Sequence, residues 1–227
     1  GLDTCPEDAG PDYDLGSGTM LVSLPDGTDR ILVGLKSGMA IALDPDAPQK
    51  GRLWENRVGR GSIQGGIQFG MSYDGQRVYV PIADMANAMD ASSAARDAAS
   101  GPPRPGLYAL SPATGELLWK TPADDVCYGR EFCDPGILAS IVTIPGGAFA
   151  GHMDGRVRAY DTATGKVLWS FDTSQPLPTL SGKPGQGGSI GGGGPVVHDG
   201  TLYVNSGYGL YFHMPGNVLA AFSVEGR

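Results

Sequence analysis

The sequence predicts an all-β chain forming part of a β-propeller. Three observations carry that prediction. A tryptophan-bearing phrase recurs at blade spacing, glycine is abundant along an apolar chain, and only one stretch reads as a helix. Glycine and proline, 37 and 18 of 227 residues, make up about a quarter of the chain, roughly twice the ordinary share. A hydrophobic content of 41% argues against disorder, so the glycines read as turns between many short strands.

Aligned on tryptophan, the repeat has three copies and a stub: "AIALDPDAPQKGRLWENR" (40–57), "LYALSPATGELLWKT" (107–121), "VRAYDTATGKVLWSF" (157–171) and "LAAFSVEGR" (219–227). The shared pattern is Ala-x-Asp/Ser-x-x-x-Gly-x-x-x-Trp, spanning about 42–54, 109–119 and 159–169. The first copy carries two extra residues before Trp54. Each copy follows another strand and a glycine, as in "RILVGLKSG", "GAFAGHMDG" and "TLYVNSGYG". A unit of this kind cannot bury both faces of its strands alone. Copies must therefore stack, and four strands every ~40–50 residues describe propeller blades, with about four in this length. Gly115 and Gly165 stand where a hairpin needs positive φ. Trp54, Trp119 and Trp169 offer flat wedges between neighbouring sheets, with Ala109 and Ala159 leaving room.

Charge and punctuation exclude several classes. The net charge is −8 with no run of Lys or Arg, which leaves no electrostatic footprint for nucleic acid. No apolar stretch approaches the ~18 residues of a membrane-spanning helix. The start "GLDTCPEDAG" is not a signal peptide, so either a leader has been removed or the chain begins within a longer protein. No C-x-x-C-H site for covalent haem occurs. Cys127 and Cys133 form C-x5-C in "DDVCYGREFCDPG". Their spacing permits a disulfide, which would favour an oxidising compartment and leave Cys5 over. Zinc would need further ligands, and His152, His198 and His213 lie at no ligand spacing. Ser189 sits in a formal G-x-S-x-G, but Gly191–Gly194 and Pro195 cannot start the helix a nucleophile elbow needs. Those glycines are expected to allow close backbone approach to a cofactor or to the next blade. Asp3, Glu7, Asp8, Asp12 and Asp14 read as a solvated lead-in to a strand, at spacings foreign to an EF-hand. Residues 82–105 read as an inter-blade insertion; the alanine-rich stretch 82–100 within it is the helix candidate, with Met85 and Met89 able to dock one face.

The repeat resembles the tryptophan-docking motif of pyrroloquinoline quinone (PQQ) dehydrogenases. The order of segments from "GPDYDLGSGTMLVSLPDG" through "VGRGSIQGGIQFGMSYDGQRVYVPIAD" to "MPGNVLAAFSVEG" is similar to the polyvinyl alcohol dehydrogenase branch along nearly the whole chain. The resemblance implies an eight-bladed propeller of which about half is present, in one partial domain over 1–227. It implies a periplasmic or secreted enzyme that oxidises a primary or secondary alcohol with PQQ and passes electrons to a cytochrome c. The catalytic base and the Ca²⁺ ligands would lie in missing N-terminal blades, so this chain alone would be inactive and prone to pair with those blades or with itself. Lys36 aligns with Met153 of a later blade, and the resemblance gives it a place at the C5 carbonyl of the quinone, where it would stabilise the reduced form. Gln68 and Phe69, in "GGIQFG", stand where relatives place a polar side chain and an aromatic beside the quinone. Relatives also carry a cysteine pair like Cys127 and Cys133. The rival expectation is a non-enzymatic propeller of the outer-membrane assembly kind, which shares the docking repeat and binds proteins.

Overall fold

The computed structural model describes residues 12–85, 100–209 and 211–225. The first sheet is an antiparallel meander of β1 (Met20–Ser23), β2 (Asp29–Gly34), β3 (Met39–Leu43) and β4 (Arg52–Arg57). The second repeats it with β5 (Ser72–Tyr73), β6 (Val78–Ile82), β7 (Gly106–Leu110) and β8 (Leu117–Pro122). The third uses β9 (Val142–Ile144), β10 (Gly147–Gly151), β11 (Arg156–Asp161) and β12 (Val167–Asp172). A short ribbon of β13 (Pro176–Leu177) and β14 (Gly185–Gln186) leads to a three-stranded sheet, β15 (Val196–His198), β16 (Thr201–Ser206) and β17 (Val218–Ser223). These are the blades of a propeller arc, three with four strands and one with three among the described residues.

Burial separates the strands within a blade. The middle strands β6 and β7 are buried at every position, because sheets cover them on both faces. The outer strands β4, β8 and β12 alternate, turning their tryptophans inward and leaving Leu53, Leu118 and Leu168 exposed. Each four-stranded sheet also slips register at one equivalent place, between Ala42 and Leu43, Ala109 and Leu110, and Ala159 and Tyr160. The extra residue lies on the outer strand just before the tryptophan, at Leu53, Leu118 and Leu168, so the motif encodes a bend as well as a turn.

The structure explains each repeated residue. Trp54 donates from Nε1 to the Pro112 carbonyl (3.0 Å), and Trp119 donates to that of Thr162 (3.0 Å). Each tryptophan therefore docks on the turn of the following blade. That turn must be glycine twice over. Gly115 and Gly165 have φ of 73° and 74°, and a β-carbon at either would lie 2.5 Å from Cε3 of the docked tryptophan. The Asp/Ser position caps the same turn, with Asp161 Oδ1 accepting from the amide of Thr164 (2.7 Å). Trp169 packs edge-on against Phe222 instead, with ring centroids 5.2 Å apart.

A second repeat, in the connections between blades, had no place in the sequence alignment. Ile67, Ile137 and Ile190 donate backbone hydrogen bonds to Leu35, Ile82 and His152 at the ends of the preceding second strands. The residue before each accepts from the next blade: Gly66 from Ala83, Gly136 from Met153, Ser189 from Gly207. Among the glycines at 187–194, Gly187, Gly188 and Gly194 serve this close approach, whereas Gly192 and Gly193 face open space. A β-carbon on Gly188 would lie 2.1 Å from the Met214 carbonyl oxygen, and one on Gly194 2.0 Å from that of Ser140. The helix expected in the alanine-rich stretch 82–100, and Met89 with it, falls on 86–99, outside the described residues. Residue 82 itself ends a strand, and Met85 is fully buried.

Candidate active site

In a meander, the turn between second and third strands and the connection to the next blade leave from the same end. Lys36, Gln68 and Phe69 therefore share one face of the arc. Lys36 lies in the tight turn from β2 to β3, where Leu35 donates to the Met39 carbonyl (3.0 Å) and Gly38 to that of Leu35 (2.9 Å). The Lys36 carbonyl accepts from Ser62 (3.2 Å) and Gly66 (2.7 Å), which sets the connection bearing Gln68 and Phe69 against the turn.

The Lys36 side chain is 10% exposed, and Nζ meets Asp12 Oδ2 at 3.1 Å and Asp14 Oδ1 at 3.0 Å. Asp12 and Asp14 are more than half exposed, as expected of a solvated lead-in, and they also pair with Lys36, which the sequence reading did not foresee; Asp3, Glu7, Asp8 and Cys5 lie outside the described residues. Burial by itself would lower the Lys36 pKa. Hydrogen bonds and charge from Asp14 and Asp12 outweigh it, so the ammonium is held above its ordinary value. The signal was present as acidic residues at i and i+2, which an extended strand places on one side.

Gln68 packs beside Gly16 and Gly65. A β-carbon on Gly65 would lie 2.7 Å from Gln68 Oε1, and one on Gly16 3.2 Å from Cγ. Oε1 is buried with no hydrogen-bond partner, an acceptor poised for a donor. Phe69 is 44% exposed on the same connection. The paired ammonium, the acceptor that lacks a donor and the partly exposed ring thus lie on one face of the arc. Among the described residues no cluster of three metal-binding side chains occurs.

Two further groupings escaped sequence reading. Asp84, with φ of 43°, accepts from the amides of Arg60 (2.6 Å), Gly61 (3.0 Å) and Arg104 (2.9 Å). One carboxylate thus ties together residues on either side of 86–99. His152 is fully buried, with Nδ1 2.9 Å from the Pro135 carbonyl and Nε2 2.8 Å from the Tyr160 hydroxyl. A carbonyl only accepts, so Nδ1 carries the proton and Tyr160 donates to Nε2. Burial, then the charge of Arg158, hold His152 well below its ordinary pKa. Cys127 and Cys133 are joined, with Cα atoms 5.5 Å apart.

The chain is 41% identical to a polyvinylalcohol dehydrogenase of Pseudomonas sp over 98% of its length, spanning 35% of that protein. It is 39% identical to a polyvinylalcohol dehydrogenase of Sphingopyxis sp. (strain 113P3), again over 98% of this chain and 34% of the relative. The chain thus spans about a third of these relatives' length. Residues 153–218 match the family model described as outer membrane protein assembly factor BamB. Among solved structures, a europium-containing methanol dehydrogenase superposes with a TM-score of 0.58 at 18% identity, over 93% of this chain and 41% of that one. That likeness supports the propeller architecture alone.

Proposed function

Since the chain is a relative of polyvinylalcohol dehydrogenase along nearly its whole length, we propose that it forms part of a periplasmic PQQ-dependent dehydrogenase acting on a primary or secondary alcohol. PQQ, when bound, supplies the two-electron acceptor for the carbinol hydride. Lys36 carries the reading. It places a buried ammonium, its pKa raised by Asp14 and Asp12, at a turn whose counterpart in the third blade is Met153. In this role Lys36 stabilises negative charge beside it, Gln68 Oε1 accepts a hydrogen bond, and Phe69 offers a ring face. Asp12 and Asp14 aim the ammonium and keep it protonated. The base, the Ca²⁺ ligands and the docking site for a cytochrome c belong, on this reading, to the part of the parent that this chain does not include.

The BamB-type match over 153–218 favours a second reading, a protein-binding propeller. Lys36 and Gln68 lie outside that stretch, and a scaffold has no evident use for a buried ammonium or for a buried acceptor without a donor. In the full-length parent loaded with PQQ and Ca²⁺, Lys36→Ala should lower kcat by on the order of 100-fold with little change in KM. An unchanged kcat would return Lys36 to a structural role and favour the scaffold.

A further inference from the structure

Between the outer strand of the first blade and the last two strands of the second lies a cleft of about 430 Å³. Its walls follow from the ladder register. Tyr108 and Leu110, two apart on β7, share the face turned to the first blade, and across β8 they stand opposite Lys120 and Leu117. Lys120 therefore lines the cleft beside Leu117, which is 42% exposed. Arg57, the last residue of β4, lines the opposite wall, and Arg104, two residues before β7, borders the same space.

Three exposed cations thus share one cleft, and among the described residues no carboxylate lines it. The rest of the molecule handles its cations differently. Arg52, Arg77, Arg156 and Arg158 each pair with a carboxylate, as the excess of acid in a chain of net charge −8 makes easy. Arg57, Arg104 and Lys120 pair with none among the described residues. Like charges gathered without a counterion repel one another and attract an anion from solution.

The backbone beneath these side chains is fixed. Arg57 Nη1 donates to the carbonyls of Ser37 (2.8 Å) and Arg60 (3.3 Å), which orients the guanidinium and leaves Nε and Nη2 to donate elsewhere. The Arg104 amide donates to Asp84 Oδ2 (2.9 Å), and its carbonyl accepts from the Tyr108 hydroxyl (2.8 Å). Guanidinium forks of this kind take an oxyanion through two parallel hydrogen bonds. Leu117, Pro103 and Pro122 add exposed apolar surface to the same walls, so the space suits a ligand with both an anionic head and an apolar body. Its volume is that of a small-molecule site. A recess between two blades admits neither a bilayer surface nor a folded partner.

We propose that this cleft binds a soluble organic anion, a carboxylate or similar oxyanion head on an apolar body of medium length. Lys36 takes no part, since Asp12 and Asp14 already hold its ammonium. The proposal therefore stands apart from the alcohol-oxidising reading.

Decanoate serves as the probe, and its binding to the purified chain is measured by calorimetry at low salt for wild type, Arg104→Gln, Lys120→Gln and Lys166→Gln. All three substituted side chains are exposed, so the fold is kept, which circular dichroism and the unfolding midpoint verify. Arg104→Gln and Lys120→Gln should each weaken binding roughly three- to tenfold, the worth of one charged hydrogen bond at an exposed site. Lys166→Gln removes the same charge from the turn before β12, outside the cleft, and should leave affinity unchanged. Acetate lacks the apolar body and decyltrimethylammonium carries the opposite charge; each should bind at least about tenfold more weakly than decanoate. Raising salt from about 20 to about 200 mM should weaken decanoate binding severalfold. Absence of millimolar binding by wild type would overturn the proposal, as would unchanged affinity in both cleft variants or an equal loss in Lys166→Gln. Binding of acetate or decyltrimethylammonium as tight as that of decanoate would overturn it too, and so would capture by phosphatidylglycerol vesicles without any binding of free decanoate.

Discussion

The turns at Lys36 and Met153 have one backbone and opposite chemistry. Leu35 and His152 make the same pair of hydrogen bonds at the start of each turn, with Gly38 and Gly155 closing it, and both following side chains are buried. Met153 packs among Ala83, Met85 and Leu138, while Lys36 faces Asp12 and Asp14. The blade repeat thus supplies geometry, and one position in it is free to hold either core or charge. A function is placed by changing that side chain and its partners without changing the fold.

Exchanging the two turns breaks the comparison most sharply. Met153→Lys buries an ammonium among apolar groups, and the carboxylate next to it in sequence, Asp154, is already bound to Arg158 at 2.6 Å. This variant should lose roughly 3–5 kcal/mol, read as a lower urea midpoint. A loss under ~1 kcal/mol would mean that the third-blade turn can recruit a partner as the first does.

The docking glycines offer the next test, since Gly165 is constrained twice and Gly200 once. Gly165→Ala adds a clash with Trp119 to the left-handed strain and should cost about 2–4 kcal/mol. At Gly200, with φ of 69° and open space, alanine should cost about 1–2 kcal/mol. Equal losses would show that conformation, and not the tryptophan, fixes glycine in the motif.

Protonation separates the two turns as well. His152 before Met153 has a depressed pKa, whereas Leu35 before Lys36 cannot titrate. Above the unfolded value near 6.5 the imidazole is neutral in both states and its contribution to stability is complete. Below that pH the unfolded chain takes up a proton that the native site refuses. Stability should then fall by up to about 1.4 kcal/mol per pH unit until the native pKa is reached. His213, also depressed by burial, adds in the same direction. Unfolding curves between pH 7 and 5 should show a smaller pH slope in His152→Gln than in wild type; matching slopes would remove His152 from the account.

The smallest effect on stability concerns the carboxylates. Asp12 and Asp14 are more than half exposed, so the double change Asp12→Asn, Asp14→Asn should move stability by less than ~1 kcal/mol. It should nonetheless release the Lys36 ammonium, lowering its pKa and speeding acylation of Nζ at pH 9, read by peptide mass spectrometry. An unaltered rate would show that burial alone protects the amine.

Much of this was legible before folding. The Asp/Ser, Gly and Trp of the motif could be assigned jobs because turn conformation and a flat apolar wedge are local requirements with a sequence period. The disulfide was legible from spacing, and Lys36 stood out as a charge where its sister position carries Met153. The connecting isoleucines were not, since Ile67, Ile137 and Ile190 sit at unequal distances from the tryptophans and share only their hydrogen bonds to neighbouring blades. Asp84 was also hidden, because its amide partners Arg60, Gly61 and Arg104 lie about twenty residues away on either side.

The sequence by itself determined the blade: its alternating outer strand, its glycine turn, and the tryptophan that must find a neighbour. Those follow from backbone conformation and apolar periodicity, which act over a few residues. Only the tertiary structure decided which groups meet across blades. It closed Asp12 and Asp14 on Lys36, left Gln68 Oε1 buried without a donor, and set Phe212 against the buried cluster of Ala83, Met85, Leu138 and Met153. Burial and charge pairing depend on distances between segments far apart in the chain, and stacking the blades is what sets those distances.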